Sequence, residues 1–398
     1  MNCKPNFFCP LPWVHLSLEP KGTVFTCCNA YEFEPLGNVR DETLVEIFQG
    51  PAMNKIREQF LNGEVPSQCL LCVNAEKLGQ ISLREISLAK FSDAFPAKSS
   101  VIKFLGLRLS NLCNYACRTC SPDLSTAWYK DSLLADKRFS KGTVKAFNST
   151  EDFLEQLRAS VDDLEVIYIA GGEPLITPEF QAMLEFLLTK ERADIELIIN
   201  TNFSRPNDKI LQLLTHFKSV NLSLSLDGMF EQGEYLRHGM NWLETEMRIK
   251  NFLKNYPSMK LKLFPTVSIY NVFHVSDFLG YVLEKKYFRP SDIAINPVTS
   301  PANFNFQILP ETLKKQAINK LTLFQMYLMT TYTEPADQGL AAQIKGLINA
   351  LGEKFSHDEM SEFLREVRNF DRIRGQDVFT VFPELKELDL PGNVTQTD

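Results

Sequence analysis

The sequence predicts an α/β protein built on a parallel sheet with crossover helices. From residue 100 onward, short β-rich runs alternate with amphipathic helical segments, and this alternation is typical of such a sheet. The predicted strands cover residues 102–110, 164–170, 195–200, 220–226, 261–267 and 293–296. The predicted helices between and after them cover residues 151–161, 178–190, 208–217, 242–256 and 274–286, and Thr177 is the expected N-cap of the second, with Pro178 at its first position.

Two further segments flank this region. The first hundred residues hold helical patterns at 44–48 and 53–60 among cysteines and glycines. After residue 300, helical patterns cover 311–332, 338–354 and 358–369, and the first of these carries an apolar stripe at helical spacing, made of Ile318, Leu321, Phe324 and Leu328. We therefore predict a cysteine-rich domain over 1–100, an α/β domain over 101–300 and a helical extension over 301–398.

The composition is that of an ordinary globular protein, with 44% apolar and 23% charged residues in 398. The formal net charge of −7 indicates no excess of basic residues that could bind phosphate groups, so we do not expect a nucleic-acid partner held through phosphates. No run approaches the roughly 18 apolar residues of a membrane helix, and the first residues lack a signal peptide, so we expect a cytoplasmic protein without a membrane partner. Nine cysteines without a secretion signal indicate metal ligation and not a disulfide framework.

Three cysteines follow the first predicted strand. Cys113, Cys117 and Cys120 have the spacing C-x3-C-x2-C. A 4Fe-4S cluster normally takes four cysteine thiolates. A site with three leaves one iron free to bind a ligand that is not protein.

A second motif, Gly171-Gly172-Glu173-Pro174, ends the second predicted strand. Together with the cysteine triad it resembles the radical S-adenosylmethionine (radical SAM) superfamily, in which the open iron chelates the amino and carboxylate groups of S-adenosylmethionine. The resemblance implies a partial (β/α)6 TIM-like barrel with a catalytic 4Fe-4S cluster on the triad. It also implies that Gly171, Gly172 and Glu173 hold the methionine end of S-adenosylmethionine.

In a parallel barrel the reactive face lies at the carboxyl ends of the strands. The third strand ends in Asn200, Thr201 and Asn202, which can bind a ribose or a substrate, although such residues are also common turn formers. The fourth strand alternates, so that Ser223, Ser225 and Asp227 share one face, the predicted barrel interior. The resemblance implies that Ser225 contacts the ribose, with Asp227-Gly228 forming the next turn.

Two later positions complete the predicted cofactor site. The resemblance implies that Arg237 meets the carboxylate of S-adenosylmethionine, a task that suits its planar fork, while an exposed loop charge is the alternative. Thr266 and Val267, at the fifth strand, are expected to line the adenine pocket. Many members of the family carry an aromatic residue before the last triad cysteine, but here that residue is Thr119. We therefore expect the adenine to contact backbone or Tyr115. We expect His238 to be a surface or packing residue.

A second group of cysteines lies in the first hundred residues. Cys9, the pair Cys27-Cys28, Cys69 and Cys72 have a spacing that suits a structural zinc site. The strings around Cys9, residues 22–28 and residues 36–38 also resemble SPASM and twitch modules, which hold an auxiliary 4Fe-4S cluster but usually follow the barrel. We favour an auxiliary cluster on Cys9, Cys27, Cys69 and Cys72. The choice between Cys27 and Cys28 stays open, with a preference for Cys27. We expect Cys3 to be a free thiol.

The resemblance implies a reaction as well as a fold. A reduced cluster passes one electron to S-adenosylmethionine, and the resulting 5′-deoxyadenosyl radical removes a hydrogen atom from an unactivated carbon. The implied partners are a reducing electron donor such as flavodoxin or ferredoxin and a peptide or small-molecule substrate. Peptide modification or crosslinking is the first hypothesis, dehydrogenation of a sugar-like or aminocyclitol alcohol the second, and a non-catalytic metal-binding or electron-transfer protein the third.

Overall fold

The computed structural model of the chain describes residues 7–77, 81–92, 100–134, 142–353 and 359–389. The position of Cys3, the last residue of the helix predicted at 338–354, the first residue of the helix predicted at 358–369 and the tail after residue 389 lie outside this part. The chain divides into two units. The first unit holds Met1–Cys113, Gly142–Thr201 and Arg205–Leu222, and the second holds Asn114–Lys141, Asn202–Ser204 and Ser223–Asp398.

The elements follow one another in chain order. The strands are β1 (His15–Leu18), β2 (Thr23–Phe25), β3 (Gly37–Asn38), β4 (Phe104–Leu107), β5 (Val166–Ile169), β6 (Glu196–Thr201), β7 (Ser219–Leu224), β8 (Lys260–Leu263), β9 (Thr266–Val267) and β10 (Asn296–Pro297). The helices are α1 (Leu11–Val14), α2 (Leu44–Gln49), α3 (Pro51–Leu61), α4 (Leu70–Lys77), α5 (Leu83–Lys90), α6 (Trp128–Leu134), α7 (Thr150–Arg158), α8 (Pro178–Thr189), α9 (Asp208–Leu214), α10 (Phe230–Leu236), α11 (Trp242–Asn255), α12 (Val275–Glu284), α13 (Glu311–Thr331), α14 (Gln338–Gly352), α15 (Met360–Arg374) and α16 (Val378–Val381). Among the described residues, no helix is long and apolar enough to cross a membrane.

The first unit is built on the predicted parallel sheet. Strands β4, β5 and β6 lie side by side and parallel, and β7 enters the sheet beside β6. One face of these strands is buried core, and burial alternates along β6 as the sequence pattern requires. The α/β class and the predicted strand positions are confirmed; β4, β5 and β7 are shorter than predicted, and β6 has the predicted length of six residues.

The N-terminal segment adds three strands that the sequence did not predict. Strand β1 pairs in parallel with β4, with His15 opposite Phe104, and β2 and β3 continue the sheet in antiparallel fashion. The units of the structure therefore have bounds that differ from the predicted domains 1–100, 101–300 and 301–398, since the segment before residue 100 shares a sheet with the segment after it. That three-domain division stays a prediction about which segments carry which chemistry.

Helix starts in the first unit follow capping rules. Thr43 and Glu46 form a capping box at α2, and the Ser149 side chain caps α7 by accepting from the backbone N–H of Asp152. Thr177 is the N-cap of α8 as predicted, but its hydroxyl donates to the carbonyl of Glu173 at 2.9 Å instead of capping the helix.

The second unit contains the later strands and most of the long helices. The end of β7 is followed by β8, where the N–H of Phe264 donates to the carbonyl of Leu224 at 2.8 Å. The sixth predicted strand is reduced to β10, which pairs in parallel with β9, and to one bridge between Leu263 and Ile293. On α13, the predicted stripe is core, with Leu321, Phe324 and Leu328 buried and Ile318 half-buried.

One buried carboxylate joins the C-terminal helix to the cysteine loop within the second unit. Asp371 of α15 accepts hydrogen bonds from Arg118, from the Tyr235 hydroxyl at 2.9 Å and from the N–H of Val378 at 2.7 Å. The Arg118 guanidinium also lies 4.1 Å over the Tyr235 ring. Because Arg118 stands between Cys117 and Cys120, this network fixes the loop that carries both cysteines.

We predict that Asp371→Ala destabilises the protein by about 3–5 kcal/mol, because it leaves Arg118 buried without a counter-charge. The free energy of unfolding of the metal-free protein in urea measures this loss. Glu362→Gln on the exposed face of the same helix is the control, with an expected change within about 0.5 kcal/mol. Equal effects of the two substitutions would contradict the assigned role of Asp371.

Candidate functional site

The glycine motif lies against the end of the first barrel strand, within the first unit. Gly171 and Gly172 have φ values of +73° and +56°. A Cβ at Gly172 would stand 2.4 Å from the carbonyl oxygen of Leu112, and the N–H of Glu173 donates to that oxygen at 2.7 Å. The turn therefore needs glycine for two reasons: its φ values are positive, and a Cβ at Gly172 would collide with the backbone. It brings the motif to the residue that precedes Cys113.

Glu173 and Asn200 are held by neighbours on adjacent strands. The buried Glu173 carboxylate accepts from the Leu175 N–H at 3.0 Å and from the Thr201 hydroxyl at 2.6 Å, which ties the end of β5 to the end of β6. The Asn200 amide donates to the Tyr168 hydroxyl at 2.7 Å. Burial raises the pKa of Tyr168 to about 12, so this phenol is neutral. The cofactor contacts assigned to Glu173 and Asn200 stay predictions.

In the second unit, backbone hydrogen bonds shape the loop of Cys117 and Cys120. The Cys117 carbonyl accepts from the N–H of Cys120 and from the indole N–H of Trp128, both at 3.1 Å. The N–H of Ala116 donates to the carbonyl of His238 at 2.9 Å. His238 is half-buried, as expected of a packing residue, and burial lowers the pKa of its ring.

Arg237 is buried, so it is not an exposed loop charge. Its Nε and Nη2 lie 2.9 and 3.0 Å from the two carboxylate oxygens of Asp227, and its Nη1 lies 3.7 Å from Cys117 Sγ. Burial alone would lower the pKa of Arg237, but the charges of Asp227 and Cys117 raise it above the ordinary value. The structure thus brings Arg237 to the predicted cluster loop, and its contact with a carboxylate of S-adenosylmethionine stays a prediction.

Asp227 also organises the predicted adenine segment. Its Oδ1 accepts from the N–H of Thr266 at 2.8 Å, and the Asn271 amide donates to the carbonyls of Asp227 and Thr266 at 2.8 and 2.9 Å. Asp227, Arg237 and Thr266 are therefore one connected group. Ser225 is half-buried just after β7.

Two residues considered for the adenine pocket are buried. Val267 and Tyr115 lie in the core of the second unit, and the Tyr115 carbonyl accepts from the Ser125 hydroxyl at 2.6 Å. Their contact with adenine stays a prediction.

Four cysteines line one cavity in the N-terminal segment. Its cysteines are Cys9, Cys27, Cys69 and Cys72. Phe7, Leu11 and Leu83 form apolar wall, and Asn29, Gln68 and Arg84 supply polar groups. Cys28 does not line this cavity, and its thiol interacts electrostatically with Arg108, with the cavity residue Cys72 and with Glu19. The arrangement favours Cys27 over Cys28 as a ligand.

The chemistry of these thiols fits a cationic iron–sulfur core. Burial raises the pKa of Cys9 and of Cys69 to about 12, and it raises that of Cys27 well above its ordinary value. Neighbouring cysteines raise these pKa values further, because thiolates repel one another. Four thiolates therefore require positive charge in the cavity, as metal ligation provides. Across the described ranges, no three histidine, cysteine or carboxylate side chains converge as on a single metal ion.

Sequence reasoning missed several residues of these sites. Asn29 directly follows the cysteine pair, and its amide donates to Cys72 Sγ at 3.7 Å, a contact that its position beside Cys28 could have suggested. Arg84, Tyr168, Asn271 and Asp371 carry no local signal, since each meets its partners through the fold.

We predict that Gly172→Ala costs about 1–3 kcal/mol more than Gly63→Ala in the urea unfolding of the metal-free protein. Both glycines have positive φ, but a Cβ at Gly63 meets nothing within 4 Å, so only Gly172 adds a backbone collision to the conformational cost. Equal losses for the two variants would show that the close approach to Leu112 has no energetic weight.

Comparison with known proteins agrees with these motifs. Residues 107–276 match the model of the radical SAM superfamily, and residues 9–73 match that of SPASM, an iron–sulfur cluster-binding domain. No curated protein matches the chain in sequence.

The chain is also similar to solved structures. The structure of native anSMEcpe with bound AdoMet shares 16% identity, with a TM-score of 0.43, over 58% of this chain and 62% of that one. Streptococcus suis SuiB bound to precursor peptide SuiA shares 14% identity, with a TM-score of 0.38, over 94% of this chain and 74% of that one. This chain thus spans less than two thirds of anSMEcpe, and the assignment rests on the sequence models. By those two matches, the chain carries a radical SAM domain over residues 107–276 and, ahead of it, a SPASM-type iron–sulfur cluster-binding domain over residues 9–73.

Proposed function

We propose that the chain is a radical SAM enzyme that removes a hydrogen atom from a peptide substrate and so modifies or crosslinks it. The observation that carries the catalytic part is the contact between the glycine motif and Leu112, the residue before Cys113. Two motifs far apart in the sequence meet there, as they must if one holds the cluster and the other holds S-adenosylmethionine.

Cys113, Cys117 and Cys120 are the residues that would hold the catalytic 4Fe-4S cluster. The residues proposed to bind S-adenosylmethionine are Gly171, Gly172, Glu173, Asn200, Ser225, Arg237 and Thr266. When bound, these cofactors supply the one-electron chemistry that takes a hydrogen atom from an unactivated carbon.

The chain's own groups position these parts. The missing side chain at Gly172 lets backbone approach backbone, and the Glu173 carboxylate keeps the ends of β5 and β6 together. Asp227 fixes the plane of the Arg237 fork, which donates toward Cys117. Donation to a thiolate lowers its negative charge and favours the reduced state of a cluster.

The second cysteine group supports the choice of substrate. Cys9, Cys27, Cys69 and Cys72 would hold an auxiliary 4Fe-4S cluster, and a second cluster can accept an electron left over after hydrogen removal. That capacity suits a two-electron oxidation such as a crosslink. The resemblance to SPASM and twitch proteins, many of which modify ribosomally made peptides, favours a peptide.

We predict that replacing Cys113, Cys117 and Cys120 by alanine abolishes 5′-deoxyadenosine formation by the reduced protein with S-adenosylmethionine. Anaerobic iron and sulfide analysis should fall from about eight irons per chain to about four, since one of two clusters is lost. Persistent 5′-deoxyadenosine would reject the catalytic assignment, and zinc in place of iron in the remaining site would support a structural zinc there.

Single substitutions in the cysteine pair provide the matched control for that experiment. Cys27→Ser should lose the auxiliary irons, because Cys27 lines the cavity. Cys28→Ser should keep both clusters. The reverse result would exchange the two assignments.

We predict that short peptides encoded beside the gene lose hydrogen atoms in pairs when incubated with the enzyme, S-adenosylmethionine and reductant. Mass spectrometry detects the loss, and the triad variant is the control. Oxidation of an aminocyclitol or sugar alcohol to a ketone, with the peptides unchanged, would replace the peptide by the alternative substrate.

A further inference from the structure

Arg84 lies in the wall of the four-cysteine cavity and is held there by three residues. Its Nε lies 2.8 Å and its Nη2 lies 2.5 Å from the carboxylate oxygens of Glu76. Its Nη1 donates to the carbonyl of Phe8 at 3.1 Å, and the guanidinium lies 4.5 Å over the Phe7 ring. With 13% of its side chain exposed, Arg84 has a fixed place.

The guanidinium acts on the cavity through charge. Among the residues that line the cavity, Arg84 is the one with a permanent charge, and it interacts electrostatically with Cys9 and Cys69. Arginine has no lone pair to offer a metal, so it cannot be a ligand. It belongs to α5, beyond the residues that match the SPASM model.

We propose that Arg84, positioned by Glu76, sets the reduction equilibrium of the auxiliary cluster by stabilising its more negative, reduced state. This inference rests on the proposed placement of that cluster on Cys9, Cys27, Cys69 and Cys72. Reduction adds one negative charge to the cluster, and a fixed cation in a poorly solvated site lowers the free energy of that state. Glu76 opposes part of the effect, because its carboxylate neutralises the guanidinium.

The opposite signs of the two charges make the idea testable. In Arg84→Gln the cation is lost, and we expect the one-electron reduction equilibrium to move about tenfold toward the oxidised form, equivalent to about 59 mV. In Glu76→Gln the cation is left less compensated, and we expect a shift toward the reduced form. In Arg84→Lys the charge is kept, and we expect a shift much smaller than that of Arg84→Gln.

The measurement is an anaerobic redox titration of the full-length chain, followed by electron paramagnetic resonance. All variants carry alanine at Cys113, Cys117 and Cys120, so that the remaining signal comes from the auxiliary site. Arg158→Gln, on the exposed part of α7, is the matched control and should leave the midpoint unchanged.

Each outcome decides the matter. Shifts of opposite sign for Arg84→Gln and Glu76→Gln support the role. An unchanged midpoint in Arg84→Gln, or shifts in one direction for both variants, overturns it while leaving the cluster site intact. If the Arg84→Gln variant does not assemble the cluster, the Arg84→Lys variant decides. A reduction equilibrium that is shifted by about tenfold in Arg84→Lys overturns the role of Arg84. A midpoint potential close to that of the parent supports it. A parent without any cluster signal refutes the proposed cluster site itself, and this inference with it.

Discussion

A buried thiol is neutral, and much of this structure follows from that constraint. Burial raises the pKa of Cys9 and Cys69 to about 12 and that of Cys27 well above its ordinary value, so these thiols deprotonate only when positive charge reaches them. Within the polypeptide, Arg84 is the cation that lines the four-cysteine cavity, and it interacts electrostatically with Cys9 and Cys69. The apolar walls of the cavity make uncompensated thiolates costly. They also strengthen the attraction between thiolates and any cation that binds there.

A related constraint shapes the cysteine loop of the second unit. Three arginines with buried side chains, Arg118, Arg237 and Arg374, are each paired with an aspartate, namely Asp371, Asp227 and Asp131 respectively. Pairing removes most of the cost of burying each charge. Arg237 and Arg374 both interact electrostatically with Cys117. The loop thus lies among guanidinium groups, while the net charge of the pairs stays near zero.

The barrel strands and both cysteine groups could be predicted from local sequence signals, because strand periodicity and ligand spacing are properties of neighbouring residues. Local signals did not predict β1 to β3, because these strands are two to four residues long and are defined by partners elsewhere in the chain. Nor could they identify Arg84 or Asp371, whose roles arise from side chains brought together by folding. Asp227 shows the middle case: the alternation of residues 222–228 predicts that it shares a face with Ser223 and Ser225, but its pairing with Arg237 needed the structure.

The parallel pairing of β1 with β4 also bears on how the protein is made. The ring of His15 bonds to the carbonyl of Phe104, 89 positions away, so the N-terminal strand has only β2 as a sheet partner until β4 has left the ribosome. Contacts of such long range close slowly. The apolar core that packs Phe8 and Trp13 with Phe104 and Val166 therefore cannot close before β4 and β5 have emerged.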